Sequence, residues 1–187
     1  MNDFPTWLGL GFRHIADLSG MDHLLFLIAL VAPYGLADWR RLFVVASAFT
    51  VGHSITLSFT VLNRPVLATP LIEFLIPVTI VITAAMNLSR RREPVAPLRS
   101  AAIALGFGLI HGAGFANFLR TLFEGPVALP LLGFNLGIEL GQLLIIAIAL
   151  LAFRLLDRAL TPGIRLRAAS LVTAAWAIVV AAERAPW

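Results

Sequence analysis

The sequence predicts an all-α, polytopic membrane helix bundle, and three observations support this prediction. Hydrophobic residues make up 59% of the 187 residues, charged residues make up 13%, and the mean hydropathy is +0.92, which is far more apolar than a soluble domain. Apolar stretches of about 20 residues, the length that crosses a bilayer, follow one another along the chain. The short connections between them carry most of the arginines. We therefore expect one transmembrane domain over residues 1–187, with about six transmembrane helices.

The first apolar segment, residues 4–18, ends at Ser19 and Gly20 and is followed by a second apolar run. Ser19 and Asp22 have the spacing of a helix-capping box, which predicts that a new helix begins there and continues to about Ala32. The N-terminal residues lack the basic region and the uninterrupted apolar run of a signal peptide. Because of Ser19, Gly20 and the capping box, the first membrane segment is expected to be broken or re-entrant.

His14 and His23 lie on either side of this break. In a continuous helix from Phe4 to Ala32 they would be about 13 Å apart along the axis, which is too far to share an ion. A bend at residues 19–20 would bring them together, and irregular backbone at membrane depth is tolerated where it lines a cavity inside the protein. Ionisable groups are costly at that depth, so we interpret this segment as part of an ion-binding site.

The second to sixth spans are predicted at residues 42–62, 70–88, 98–119, 129–153 and 164–182. The second span carries His53 near its middle, and hydroxyl residues repeat along one of its faces every three or four residues. These residues are Ser47, Thr50, Ser54 and Ser58. A structural alternative is that the hydroxyls bond to carbonyls of their own helix and that the small side chains help helices to pack.

The third and fourth spans hold further polar side chains. In the third span, Glu73 lies near the start as part of an ion path or as an interfacial carboxylate, and Pro77 predicts a kink. In the fourth span, His111 is surrounded by four glycines, which let another backbone or a hydrated ion approach it closely. Close helix packing alone would explain the glycines, but it would leave the histidine unexplained.

The fifth span has two different faces. One face is a stripe of glycines four residues apart, and the opposite face carries Asn135, Glu139 and Gln142. A mid-span glutamate is difficult to explain structurally, because the apolar spans offer no Lys or Arg to pair with it. We expect its partner to be a proton, a cation or a histidine. The sixth span carries no site candidate beyond Thr173 and Trp176 and is interpreted as scaffold.

The basic residues are all arginine, and their distribution predicts the topology. Ten of the 14 lie in the first, third and fifth connections, so the positive-inside rule places these connections in the cytoplasm and both termini on the other side. Arginines in connections argue against a nucleic-acid surface, which would need them clustered on one folded face. The absence of cysteine excludes disulfides, thiolate metal sites and thiol nucleophiles. Three methionines are too few to favour a Cu(I) path.

Depth in the membrane indicates a common centre. Counted from the predicted outer ends of their spans, His53, His111 and Glu139 each lie about 14 Å into the membrane. His23 reaches a similar level if its span is counted from about His14. Four helices thus offer metal-binding side chains at one level.

We therefore predict a site that binds a divalent metal ion. The predicted ligands are His14, Asp22, His23, His53 and His111. A further group is expected to orient these ligands or to line an ion path: Asp17, Glu73, Asn135, Glu139 and Gln142. Imidazole and carboxylate ligands without sulfur suit Ni(II), Zn(II), Co(II) or Fe(II). The alternative is that buried hydroxyls and amides satisfy the histidines without any metal.

Four motifs occur in a fixed order along the chain: HIADLSGMDHLLFL, TVGHSITL, FGLIHGAGFA and FNLGIELGQL. Together they resemble the signatures of the HupE/UreJ family of hydrogenase and urease accessory membrane proteins, over nearly the whole chain. The resemblance implies a small multi-pass protein of the bacterial inner membrane that acts as a secondary permease for nickel or a related divalent cation. It also implies functional roles for the matching residues, which are His14, Asp22, His23, His53, His111 and Glu139.

The first motif departs from the hydrogenase-associated branch of that family. In that branch the first histidine is followed by proline and lies nearer to the Asp-His pair. Here Ile15 follows His14, and seven residues separate His14 from Asp22. The chain is therefore similar to a divergent branch.

Two functions from different classes follow from these residues. In a permease, an ion would pass Glu73 and Asn135 from the outer side, be held by the histidines and leave towards the cytoplasm after a helix movement. In an intramembrane hydrolase, a metal would activate water, with Glu139 or Asp22 as general base and Ser54 as an auxiliary group. A haem or electron-transfer protein with paired histidine ligands is a less favoured third alternative. The expected partners are the lipid bilayer and the metal ion, and an oligomer is neither predicted nor excluded.

Overall fold

The computed structural model of the chain describes residues 3–17, 21–62, 68–89, 97–122 and 125–187. All regular secondary structure in these ranges is helical, which confirms the all-α prediction. A 3-10 turn, Leu36–Asp38, leads directly into the third α-helix. The α-helices are α1 (Phe4–Ile15), α2 (Asp22–Val31), α3 (Trp39–Val61), α4 (Thr69–Leu88), α5 (Pro97–Leu122), α6 (Ala128–Leu156) and α7 (Pro162–Glu183).

Five of these helices, α3 to α7, are long and apolar enough to cross a membrane. Their bounds agree with the predicted second to sixth spans to within a few residues. The outer face of α3 is apolar as well, since Phe43, Val51 and Phe59 are each about half exposed. A continuous apolar surface of this kind is typical of a face turned to lipid. The predicted polytopic membrane bundle is therefore confirmed, while the side on which the termini lie stays a prediction.

The first membrane segment is divided into two short helices, as predicted. α1 ends at Ile15, and α2 begins at Asp22 with Met21 as its N-cap residue. α2 has 10 residues, most of them buried and apolar, and ends shortly before Pro33. Its length of about 15 Å is half the thickness of a hydrocarbon core. Ser19, the predicted capping residue, lies outside the described residues.

Prolines mark the starts of four helices, and Pro97 is the first residue of α5. Pro5, Pro70 and Pro162 occupy the first turns of α1, α4 and α7, where a missing backbone N–H breaks no helical hydrogen bond. α7 is also capped by Thr161, whose side chain accepts a hydrogen bond from the backbone N–H of Ile164 at 3.3 Å. Local sequence therefore determines where these helices begin.

Glycines bring α3 and α5 into backbone contact. Gly108 lies against the backbone of Phe49, and one turn further along Gly112 lies against the backbone of His53. A Cβ added at either glycine would overlap the neighbouring helix. Because the contacts advance in the same direction along both helices, α3 and α5 run parallel. This pair holds His53 in a fixed position.

α6 packs on α1 through its glycine stripe. Gly133 lies against Phe4 and Trp7, and a Cβ added at Gly137 would overlap the backbone of Leu8. The stripe therefore serves a contact within the chain.

α4 and α7 form a third pair, and α2 packs against α4, α6 and α7. Arg165 of α7 is buried and donates hydrogen bonds to the carbonyl of Ala32 at 2.9 Å and to Asp157 at 2.8 Å. Asn87 of α4 donates to the carbonyl of Ala29 at 2.7 Å. These bonds pair the carbonyl groups at the C-terminal end of α2, which a helix leaves without internal partners.

The α3–α5 contact can be tested with a matched pair of glycine variants. Gly108→Ala should lower the free energy of unfolding by about 1–3 kcal/mol, because the added methyl group overlaps the backbone of α3. Gly106→Ala should be neutral or slightly stabilising, since a Cβ there meets nothing within 4 Å and alanine favours helix more than glycine. Denaturant titration in detergent micelles, followed by circular dichroism, measures both. Equal stability of the two variants would contradict the close packing.

Candidate metal centre

Three histidines from three helices converge inside the bundle. His14 of α1, His23 of α2 and His53 of α3 each offer a ring nitrogen, and these atoms all lie within 4.8 Å of one another. The ring centroids of His14 and His23 are 4.6 Å apart. The centroid of His53 is 5.8 Å from that of His14 and 6.1 Å from that of His23. These three residues are the histidine cluster.

Different features of the fold position the three rings. The break between α1 and α2 places His14 beside His23, although a straight helix would hold them about 13 Å apart. His53 is held from the other side, because Gly112 of α5 packs directly on its backbone. The histidine cluster therefore lies where α1, α2 and the α3–α5 pair meet.

His23 and His53 are buried and His14 is partly buried, and several of their ring nitrogens have no partner among the described residues. His53 is 0% exposed and His23 is 8% exposed. Within the described parts of the chain, no hydrogen-bond partner is found for Nε2 of His14, Nε2 of His23 or either ring nitrogen of His53. An unsatisfied buried polar atom costs about 1–3 kcal/mol, and such atoms are rare in native proteins. The unpaired nitrogens therefore point to a ligand that is not part of the chain.

His111 lies beside the histidine cluster and is held by α4. Its ring centroid is 5.1 Å from that of His23, and its Nε2 is 2.9 Å from Oγ1 of Thr79. The Thr79 hydroxyl donates to the carbonyl of Ile76 at 2.7 Å, so its oxygen accepts the N–H of His111. The lone pair of His111 is then on Nδ1, which has no partner among the described residues. A hydrogen bond of this kind orients metal-binding histidines in many proteins.

A cavity of about 300 Å³ opens beside the rings. This cavity, the vestibule, is lined by three of the histidines and by three carboxylates: His14, His23, His111, Asp17, Asp22 and Glu73. Carboxylates concentrated in a cavity with low-dielectric walls create a negative potential that attracts cations. The vestibule therefore provides a route by which a cation can reach the cluster.

One arginine also lines the vestibule. Arg184, directly after α7, donates from Nη1 to Oδ2 of Asp22 at 2.9 Å. Asp22 is therefore held in an ion pair next to His23. An ion that approaches the cluster meets a carboxylate that already has a cationic partner.

Glu139 lies in a different cavity. It lines a groove of about 590 Å³ between α3 and α6, together with Asn135. Its carboxylate accepts hydrogen bonds from Ser47 at 2.6 Å, from Thr50 at 2.5 Å and from Gln142 at 2.9 Å. We expected a proton, a cation or a histidine as the partner of Glu139, but the structure provides two hydroxyls and an amide. The reason is that the polar face of α6 turns towards the hydroxyl face of α3.

The hydroxyl face of α3 combines both predicted roles. Ser47 and Thr50 pair with Glu139, as a polar site would require. Ser54 donates to the carbonyl of Thr50 at 2.7 Å, which is the structural alternative of bonding within its own helix. Ser58 lines the same groove, further along the helix.

The structure thus divides the predicted site residues between two places. The vestibule brings together His14, Asp17, Asp22, His23, Glu73 and His111, with His53 behind it in the histidine cluster. The groove holds Ser54, Asn135 and Glu139, with Gln142 bonded to Glu139. The predicted ion path past both Glu73 and Asn135 is not formed, because these two residues line separate cavities.

Sequence reasoning missed two residues of the vestibule region. Thr79 lies two residues after Pro77 in an apolar span. The one sequence signal for its role was that its hydroxyl lies at about the same membrane depth as His111. Arg184 was assigned to topology alone, since nothing in the sequence links it to Asp22 across the length of the chain. Both partnerships depend on how α4 and α7 are rotated about their axes.

The donor set limits the chemistry. Three imidazole nitrogens without sulfur suit borderline divalent cations such as Ni(II), Zn(II), Co(II) and Fe(II). Three protein ligands beside a cavity are typical of a site that keeps a position open, rather than of a closed structural site. Ring centroids 4.6 to 6.1 Å apart leave no room for a porphyrin between two of these histidines, which disfavours the haem alternative.

The chain matches a protein-family model. The model described as HupE / UreJ protein matches residues 1–184, which is nearly the whole chain. No curated protein and no solved structure matches the chain.

The hydrogen bonds of Glu139 can be tested by a double-mutant cycle. Ser47→Ala should lower the free energy of unfolding by about 1–3 kcal/mol, because it leaves a carboxylate oxygen without its donor. In a Glu139→Met background the same substitution should have little effect. Ser58→Ala is the control, since Ser58 lines the same groove and donates no described hydrogen bond to Glu139. Equal effects of Ser47→Ala in both backgrounds would show that the pair contributes nothing.

Proposed function

The chain belongs to the HupE/UreJ family, and from this membership together with the histidine cluster we propose that it is a permease for a divalent metal ion. The observation that supports this most strongly is the set of buried ring nitrogens that converge without hydrogen-bond partners in the described chain. The free-energy cost of burying these nitrogens without hydrogen bonds is offset only if a ligand binds there. We propose the bacterial inner membrane as the location and nickel as the first candidate, with zinc, cobalt and iron as alternatives.

The proposed path begins in the vestibule. Asp17 and Glu73 raise the local concentration of cations there, and His14 and His23 line the same cavity. The ion then exchanges part of its hydration shell for the three nitrogens of the histidine cluster. We propose that the vestibule faces the non-cytoplasmic side, in agreement with the distribution of arginines along the chain.

His111 and Asp22 are proposed as additional ligands. Nδ1 of His111 carries the lone pair next to His23 and has no described partner. Asp22 precedes His23 in sequence and could turn towards the ion once its pair with Arg184 is broken. A set of neutral imidazoles and one weakly held carboxylate binds a cation less tightly than a closed site, which suits release on the other side.

An intramembrane metallohydrolase remains the second candidate, because three imidazoles beside a water-accessible cavity also fit a catalytic zinc site. For this function Asp22 is a better candidate for the general base than Glu139. Glu139 and Ser54 line the groove between α3 and α6, away from the vestibule.

Metal binding tests the site itself. The purified protein should bind about one divalent ion per chain, measured by elemental analysis and calorimetric titration. His53→Leu should reduce the affinity at least 100-fold, since it removes one of three ligands. It should also raise the thermal stability of the metal-free protein, because it replaces two unpaired buried nitrogens by a side chain of similar volume.

His111, which is proposed as an additional ligand, should respond more weakly to the same substitution. His111→Leu serves as the comparison, because His111 lies outside the group of three, and its loss of affinity should be smaller. If His53→Leu stays folded and keeps the affinity of the wild type, the histidine cluster is not the binding site.

Transport distinguishes the two candidate functions. In proteoliposomes that contain a metal-sensitive dye, wild-type protein should give saturable uptake, and His23→Ala should abolish it. Leu171→Ala, a substitution on the exposed apolar face of α7, is the control and should leave uptake unchanged. A metal that copurifies and does not exchange, together with hydrolysis of a lipid or an amide, would contradict the permease and support the hydrolase.

A further inference from the structure

A layer of phenylalanines lies next to the histidines. Phe26 and Phe49 are each 1% exposed, and their rings stack with centroids 4.9 Å apart. Phe107 meets Phe26 edge to face, with centroids 6.1 Å apart. We call Phe26, Phe49 and Phe107 the phenylalanine layer.

Each helix that contributes to the layer carries a histidine one turn away. The pairs are His23 with Phe26 on α2, His53 with Phe49 on α3, and His111 with Phe107 on α5. One turn corresponds to about 5 Å along a helix. The rings are also in contact across the two levels, since the centroid of His111 lies 5.2 Å from that of Phe49 and 5.3 Å from that of Phe26.

The phenylalanine layer lies on the side of the histidines away from the vestibule. Along α2, the order is Asp22 in the vestibule, then His23, then Phe26. Along α5, read from its C-terminal half, the order is Gly114 in the vestibule, then His111, then Phe107. The histidines therefore separate the vestibule from the phenylalanine layer on both helices.

A second, smaller cavity lies beyond this layer. It has a volume of about 40 Å³, enough for a water molecule, and Phe26 and Phe107 form part of its wall. Its lining is mainly apolar, and its polar residues are Tyr34, Thr83, Asn87 and Ser100. We call it the inner pocket. The phenylalanine layer packs within the hydrophobic core and separates the histidines and the vestibule from the inner pocket.

We infer that the phenylalanine layer is the inner gate of the ion path, and that the inner pocket receives the ion after it leaves the histidines. This inference rests on the proposed permease function. Three aromatic rings in contact exclude water. A divalent cation that enters such a layer loses bound water molecules, and the layer has no polar side chain to replace them. Passage therefore requires that the rings separate, which needs a relative movement of α2 and the α3–α5 pair.

Shortening a ring of the layer should open the path without removing the binding site. Phe107→Ala and Phe49→Ala should increase metal uptake into proteoliposomes at least fivefold, while the metal affinity in detergent changes by less than about twofold. Phe107 is only partly buried, so its variant keeps the test usable if Phe49→Ala fails to fold. Leu57→Ala is the matched control, because Leu57 is fully buried on α3 one turn beyond His53 in the opposite direction. It should not increase uptake.

A labelling experiment tests the gate without measuring transport. The chain contains no cysteine, so Thr83→Cys places a single thiol in the inner pocket. A charged, membrane-impermeant thiol reagent applied from the vestibule side should label it at least ten times faster when Phe107→Ala is also present. Glu73→Cys, which lies in the vestibule, identifies the vesicles whose vestibule faces the reagent.

The outcomes separate the gate from the proposed function. If wild-type protein binds and transports metal but neither phenylalanine variant changes uptake or labelling, the gate is wrong and the permease stands. If wild-type protein binds no metal, the permease and the gate that rests on it are both wrong. Increased uptake in Leu57→Ala would also overturn the gate, because any buried cavity would then suffice.

Discussion

A polar group inside a bilayer needs a partner, and the interior of this protein follows from how that requirement is met. Glu139 is surrounded by hydroxyl and amide donors, and the guanidinium of Arg165 is bonded to a carboxylate and a backbone carbonyl. Ser54, Thr79 and Thr83 donate to carbonyls of their own helices. Against this background the unpaired nitrogens of the histidines stand out. Buried oxygens of Asn135, Gln142 and Ser170 also have no partner among the described residues, but only the histidine nitrogens converge as a set of metal-binding atoms.

The packing of the helices suggests where a partner for these nitrogens can be accommodated and released. α3 with α5 and α1 with α6 are joined through glycines at backbone distance, so these pairs cannot slide without steric overlap. His14 belongs to the α1–α6 pair, His53 and His111 belong to the α3–α5 pair, and His23 is on α2 between them. A ligand bound by the histidines therefore contacts the α1–α6 pair, the α3–α5 pair and α2 at once. Movement between the pairs would change the distances among the rings, whereas movement within a pair would not.

The fold was largely predictable from sequence, and the partnerships within the site were only partly so. Apolar runs of bilayer length define α3 to α7, and Ser19 and Gly20, with the capping-box spacing to Asp22, predicted the break between α1 and α2. Depth along a helix was also informative, because it follows from counting residues. The rotation of a helix about its axis could not be predicted, because a polar face can turn towards any neighbouring helix. Glu139 therefore could not be assigned to Ser47 and Thr50, and Asp22 could not be assigned to Arg184.

α2 is held at both ends by one helix that carries no histidine. Arg165, near the start of α7, bonds to the carbonyl of Ala32 just after α2, and Arg184, just after the end of α7, bonds to Asp22 at the beginning of α2. Hydrogen bonds from the two ends of α7 thus hold the two ends of α2. A tilt of α7 in the bilayer would be transmitted to His23 through both of these bonds. Lipid thickness or lateral pressure acting on the periphery of the protein would in this way reach its centre.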